Sequence, residues 1–201
     1  MIRFFDLLFS VLALLVLLPV FILLSIIILL GSKGPVLFNQ PRVGRGNKDF
    51  ILIKFRTMYR DSEKTGCLTV GSRDQRITRA GYFLRKYKLD ELPQLFNVIR
   101  GDMSLVGPRP EVRKYVSHYN EDQKRVLSVR PGITDYASLE YLHENELLGS
   151  SADPEKTYIE EIMPAKLELN KKFLQDRSLK NYFRVILKTI SGIFLRISES
   201  P

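Results

Sequence analysis

The chain opens on an almost unbroken apolar run. From Leu7 to Leu30 there is no charged residue, and as a helix this run is roughly 36 Å long, more than the hydrocarbon core of a bilayer. The pattern predicts a membrane helix. It exceeds the apolar stretch of a signal peptide, and no small-x-small cleavage site follows Leu30. Pro19 interrupts the run, either as a tolerated kink in a straight span or as the break of a helix that enters and leaves on one face. Arg3 precedes the run, and Lys33, Arg42, Arg45 and Lys48 follow it. The flanking charges therefore define no inside, and the two topologies stand level on charge and proline.

Beyond the run, Gly31 to Pro35 is turn chemistry, followed by a short apolar strand, Val36-Leu37-Phe38. A second strand, Phe50 to Ile53, lies past the turn-rich Gly44 to Lys48, so the pair predicts a small hairpin. Asp61 to Arg76 is polar, carries two glycines and has little periodicity; a loop of that length reads as a lid. Between Arg79 and Ile99, Leu84, Tyr87, Leu92, Leu95 and Phe96 share a helical face, with Pro93 at a start or kink and Asp90-Glu91 near a helix boundary. Asp153-Pro154-Glu155 is a helix opening, and the helix should run to about Leu174. A last helix, Leu179 to Ile197, gathers Leu179, Phe183, Ile186, Ile190, Ile193 and Ile197 on one side, with Lys180, Arg184, Lys188 and Arg196 elsewhere. That is the pattern of a helix lying on a membrane and equally of one packed on a core. The fold class is α+β, mainly helical, with room in 201 residues for one ordinary domain beside the membrane element.

Charge narrows the partners. A formal net charge of +9 and a pI near 9.7 point to an anionic partner: membrane headgroups, phosphorylated substrates or nucleic acid. The lone Cys67 excludes an intrachain disulfide and a thiolate cluster. His118 and His143 lack metal-ligand spacing, no Gly-x-x-x-x-Gly-Lys-Ser/Thr loop is present, and Gly44-Arg45-Gly46 is too short for a dinucleotide fingerprint.

Candidate chemistry concentrates between Arg85 and Pro110, where Asp90, Glu91 and Asp102 are interleaved with Arg85, Lys86, Lys88 and Arg109. Carboxylates that attack phosphorus or hold Mg²⁺, beside guanidinium groups that neutralise phosphate oxygens, would suit phosphoryl chemistry. A solvated helix face with surface ion pairs is the alternative. Arg109, stiffened between Pro108 and Pro110, has less freedom to lose on binding an anion; otherwise it is a structural arginine paired with an acid. Lys54 and Arg56, alternating with apolar residues at a strand end, project toward one site as phosphate contacts or stand as edge-strand charges.

These residues fall in motifs that resemble the monotopic phosphoglycosyl transferases, or bacterial sugar transferases. The motifs are the apolar run broken at Pro19, Gly34-Pro35-Val36-Leu37-Phe38 with Gln40, and Lys54-Phe55-Arg56-Thr57-Met58. They continue with Leu89-Asp90-Glu91-Leu92-Pro93-Gln94-Leu95-Phe96-Asn97-Val98, then Gly101-Asp102-Met103-Ser104-Leu105-Val106-Gly107-Pro108-Arg109-Pro110, and finally Arg130-Pro131-Gly132-Ile133-Thr134. The resemblance covers nearly the whole chain. It implies a re-entrant membrane helix hairpin over residues 1–33, and a catalytic domain over 34–201 with amphipathic C-terminal helices, on the cytoplasmic face of the bacterial inner membrane. It implies Mg²⁺ as cofactor and a two-step reaction. In the first step Asp90 attacks the sugar-bearing phosphorus of a UDP-sugar, releasing UMP. In the second, polyprenol phosphate takes the sugar phosphate from Asp90.

By the same resemblance Glu91 assists with metal or proton, and Lys54, Arg85, Arg109 and Arg130 contact phosphate or nucleotide. Membrane lipids are the other expected partner, nucleic acid is not, and a homodimer is compatible with the sequence. Two positions depart from the family pattern. Leu18 stands where members often have Ser before the proline, and Asp135 to Glu140 replaces a Gly-aromatic-Ala-Gln continuation, so the sugar-recognition loop is expected to differ. A silent, membrane-anchored basic module and a Mg²⁺-dependent phosphohydrolase are the rival readings.

Overall fold

The computed structural model describes residues 1–60, 62, 74–141 and 144–198, with side chains to 192. Helix α1, Ile2–Gly31, is helical through Pro19. It is long and apolar enough to cross a membrane, and little of it is covered. Leu15, Val16, Leu18 and Leu30 are exposed. Both of its ends are fixed to the rest of the chain. Near its start the Arg3 guanidinium donates to the carbonyls of Val98 (2.7 Å) and Ile99 (3.1 Å), and the Asp6 carboxylate accepts from Ser104 Oγ, Leu105 N and the Tyr182 hydroxyl, each at 2.9 Å. Near its end Leu24 and Ile28 are buried with Phe55 and Leu84.

The expected hairpin is present and longer than its apolar cores. Strands β1, Leu37–Val43, and β2, Asp49–Phe55, pair antiparallel from Leu37 opposite Phe55 to Val43 opposite Asp49. The loop read as a lid lies mostly outside the described residues, as do Cys67 and His143. Its ends are pinned together where Tyr59 N donates to the Arg76 carbonyl and Met58 bridges Ile77.

The stretch from Arg79 to Ile99 divides into two helices, with Pro93 at a helix start, one of the two places the sequence left for it. Thr78 caps α2, Arg79–Lys86, by accepting from Gly81 N at 2.9 Å. Lys88 then adopts a left-handed conformation (φ 57°), and a single tight turn, Leu89–Glu91, leads to Pro93 and α3, Gln94–Arg100. Proline is tolerated at a helix start because the N–H it lacks has no helical partner there.

Strand β3, Ser104–Val106, precedes the short helix α4, Arg113–Val116; strand β4, Gly132–Thr134, pairs parallel with β3. Helices α5 (Tyr136–Glu140), α6 (Glu144–Gly149) and α7 (Pro154–Thr157) follow, and α7 continues through one wide turn, Tyr158–Ile162, into α8, Met163–Gln175. The wide turn falls just before Pro164, where the helical ladder loses a donor.

In the final helix, α9 (Leu179–Ser198), the most buried side chains are Asn181, Tyr182 and Val185, one step round from the predicted apolar face. Phe183 and Ile186 pack beside them, whereas Leu187 and Ile190 are exposed. The helix thus takes up the core and leaves an apolar flank uncovered.

Candidate active site

The corner between α2 and α3 carries the site. Asp90 and Glu91 sit on its tight turn and are both buried. Glu91 is gripped by Arg109, whose guanidinium donates to both carboxylate oxygens at 2.5 and 3.1 Å. Asp90 has no such partner: its Oδ1 is buried and meets no hydrogen-bond donor among the described residues. The two neighbouring acids are therefore driven apart. Burial, and then the adjacent Glu91 charge, push the Asp90 carboxyl above the usual carboxylate range, although Lys54, Lys88 and Arg85 oppose this. Burial also acts against a charged Glu91, but Arg109, Lys88 and Lys54 outweigh it and hold that carboxyl well below its usual range. Adjacent carboxyls with diverging acidities are a frequent mark of divided chemical roles.

Arg109 is placed by strand pairing. Gly107 N donates to Thr134 O, and Gly132 N to Pro108 O, both at 3.0 Å, which fixes the backbone on either side of Pro108. The two glycines allow this approach, since a Cβ on Gly132 would stand 2.1 Å from Gly107 N. Asp135, fully buried at the start of α5, accepts from Arg109 N at 3.1 Å and from Ser138 N at 2.6 Å. Sequence reasoning missed Asp135 as a site residue; its signal was an acid at a helix start directly after Ile133-Thr134.

Lys54 reaches the same group from β2. Burial lowers its ammonium to about 8, with the Glu91 charge opposing. Its strand is clamped by Asn97 of α3, whose side chain accepts from Ile53 N at 3.0 Å and donates to Ile51 O at 2.6 Å. Asn97 was also missed; an amide three residues after Gln94, on the covered face of a helix, was its trace. Arg85 donates Nε to Thr57 Oγ1 at 2.9 Å and contributes positive potential at Asp90.

Two further arginines are held by backbone carbonyls away from Asp90. Arg56 lies just past the end of β2 and donates to the carbonyls of Ser32 (2.7 Å) and Lys33 (2.9 Å), tying down the end of α1. Gly34 permits this, since its φ is +131° and a Cβ there would meet the guanidinium. Arg130 donates to the Gly101 carbonyl at 2.9 Å among the charges of Arg45, Arg3 and Asp6, so the structure does not bring it to Asp90. In that motif it is the backbone after Arg130 that serves the site, through β4. His118 is exposed.

Two cavities meet here. One, of about 230 Å³, is walled by polar side chains including Arg42, Glu111, Glu144 and Lys166. The other, of about 750 Å³, is an apolar groove between α1 and α9, walled by Phe9, Leu12, Val16, Phe183 and Ile186. Lys88 and Arg109 line both, and Glu91 lines the groove.

Among the described residues no three His, Cys, Asp or Glu side chains cluster as a metal cage. The donors present instead fit Mg²⁺, which commonly takes one or two carboxylates together with substrate phosphates. With Glu91 held by Arg109, the free Oδ1 of Asp90 is the oxygen available to such an ion.

The chain as a whole is similar to known proteins. The chain is 38% identical over 194 residues to the UDP-N-acetylgalactosamine-undecaprenyl-phosphate N-acetylgalactosaminephosphotransferase of Aeromonas hydrophila, covering 95% of this chain and 43% of that protein. It is 48% identical over 109 residues to a putative undecaprenyl-phosphate N-acetylgalactosaminyl 1-phosphate transferase of Bacillus subtilis, covering 54% and 61%. The undecaprenyl-phosphate glucose phosphotransferase of Komagataeibacter xylinus is 46% identical over 144 residues, covering 68% and 27%. The chain thus spans less than two thirds of each of these relatives. The model of the bacterial sugar transferases matches residues 1–196, and on that near-complete match the chain belongs to the bacterial sugar transferase family.

Proposed function

We propose that this protein transfers a sugar phosphate from a UDP-sugar to polyprenol phosphate, with Asp90 as nucleophile. The observation that carries the reading is the unpartnered, buried carboxylate oxygen of Asp90, set among cations and adjoining Glu91, which lines the apolar groove that meets the polar cavity at Lys88 and Arg109. An oxygen Oδ of Asp90 forms a bond to the sugar-bearing phosphorus while the bond from that phosphorus to the UMP oxygen breaks. A phosphate oxygen of the lipid then attacks the same phosphorus, and the bond from Asp90 Oδ to that phosphorus breaks, leaving a polyprenol diphosphate sugar and a free carboxylate.

The burial that raises Asp90 also strips it of water, so its charged form is kept by cations rather than by solvation. Lys54, Lys88 and Arg85 neutralise the donor diphosphate. The Glu91–Arg109 pair orients a guanidinium at the junction and leaves Asp90 the reactive acid. Mg²⁺, held by Asp90 and the substrate phosphates, would supply further charge neutralisation on the transferring group.

The groove between α1 and α9 offers the isoprenoid an apolar path ending at cations, so the acceptor's phosphate reaches the site without its tail leaving the bilayer. Both ends of α1 make polar or buried contacts with the same body, which supports a one-sided, re-entrant anchoring; the cytoplasmic face of the inner membrane is what the family resemblance implies. A transbilayer span would put those ends on opposite faces.

The relatives named above include N-acetylgalactosamine and glucose phosphotransferases, so a panel of UDP-sugars is the test. Protein in nanodiscs with Mg²⁺ and polyprenol phosphate should release UMP and form lipid-linked product, and Asp90→Asn should abolish both. Full transfer by Asp90→Asn would remove Asp90 from the mechanism, and lipid-independent release of sugar phosphate would make the protein a hydrolase.

A further inference from the structure

The meeting of two unlike cavities at Lys88 and Arg109 bears on where the donor's sugar lies. We infer that the small polar cavity is the sugar pocket of the donor, read chiefly by Asn145 and the Glu144–Lys166 pair; this rests on the transferase reading above.

The first argument is stereochemical. At a transferring phosphorus the attacking and leaving oxygens lie roughly in line. UMP departs opposite Asp90, and the lipid phosphate later attacks opposite Asp90, so the two occupy the same side in turn. The sugar lies off that line and stays bound through both steps. It needs a chamber apart from the lipid's groove, and the polar cavity is such a chamber, opening on the same two cations.

Size and wall chemistry agree. At about 230 Å³ the cavity is smaller than the 300–1,000 Å³ that encloses a whole drug-sized ligand. It admits a ring, not a nucleotide with its sugar. Its acids are neutralised by neighbours: Lys166 Nζ stands 2.7 Å from Glu144, and Arg42 stands 3.0 Å from Glu111, which also accepts from Val112 N and the Tyr158 hydroxyl. Paired ions with fixed donors and acceptors suit a neutral, polyhydroxylated ring, and a site built to bond hydroxyls discriminates strongly against analogues that lack them. Asn145 adds an exposed amide at the rim.

The test uses Asp90→Asn protein in nanodiscs, which blocks turnover, and calorimetric binding of UDP, UDP-glucose, UDP-galactose, UDP-N-acetylglucosamine and UDP-N-acetylgalactosamine. One of the four sugars should bind more tightly than UDP. Asn145→Ala, and separately the charge-neutral double variant Glu144→Gln with Lys166→Met, should weaken that UDP-sugar by about tenfold while UDP stays within about twofold. Retained UDP binding shows that each variant is folded. Equal losses for UDP and the UDP-sugar would place the nucleotide in the cavity and overturn the inference. No loss for either ligand, or no UDP-sugar tighter than UDP, would overturn it too. Failure of the transferase reading would be seen separately, as absent lipid-dependent UMP release by the native protein.

Discussion

Replacing Arg109 by Met removes both donors to Glu91 and leaves its buried carboxylate with only the charges of Lys88 and Lys54 to offset it. Breaking a buried ion pair from one side costs about 3–5 kcal/mol. The Arg109 side chain is 31% exposed and that of Glu91 10%, so water relieves part of the loss and about 2–3 kcal/mol is expected. For a domain of this size each kcal/mol lowers the melting temperature by about 2–4 °C, giving a fall of about 4–12 °C at neutral pH. Adding Glu91→Gln to Arg109→Met removes the stranded charge and should restore at least half of the fall. The pH dependence has a definite sign. The folded Glu91 is depressed below its unfolded value of 4.5, so the pair stabilises above that pH and its contribution is lost as pH falls through the folded value. The gap between native and Arg109→Met protein should therefore narrow below pH 4.5. Thermal unfolding in nanodiscs across pH measures all of this. A fall of less than about 2 °C, or a double variant no more stable than the single one, would refute the reasoning.

Asp90→Asn should abolish transfer and raise the melting temperature: a carboxyl raised on folding stabilises only at low pH, and its charged form at pH 7 is a cost that Asn removes; a lowered melting temperature would contradict this. Lys54, lowered to about 8, should give kcat/KM an alkaline limb near that pH as its charge is lost, and Lys54→Arg should move the limb upward; an unmoved limb would assign it to another group. Asp135→Ala removes the acceptor for Arg109 N and the cap of α5, so stability should fall by about 1–2 kcal/mol and kcat more than KM changes; an unaltered kcat would make Asp135 a cap alone. Single cysteines at Met1 and Lys48, both exposed, in a background lacking Cys67 should label from the cytoplasmic side; labelling from opposite sides would restore a straight span.

Local periodicity was enough to locate α1, the hairpin, the helix from Pro154 and α9, because side chains that repeat every 3.6 or 2 residues declare the face they bury. It also marked Asp90, Glu91 and Arg109 as unusual, through a proline-framed arginine and paired acids near a helix boundary. It could not separate Lys54 from Arg56, two residues apart in sequence. Where β2 ends, at Phe55, decides that Lys54 faces the acids and Arg56 the end of α1. Arg130 came in only through the family resemblance, and the tertiary structure separates it from Arg109: Arg109 reaches Glu91, whereas Arg130 reaches Gly101. The split at Lys88 depended on a left-handed backbone that no side-chain pattern announces. The acidity of Asp90 and the meeting of two cavities at Arg109 came only with the tertiary structure, since burial and the fields of distant charges depend on which segments are packed together.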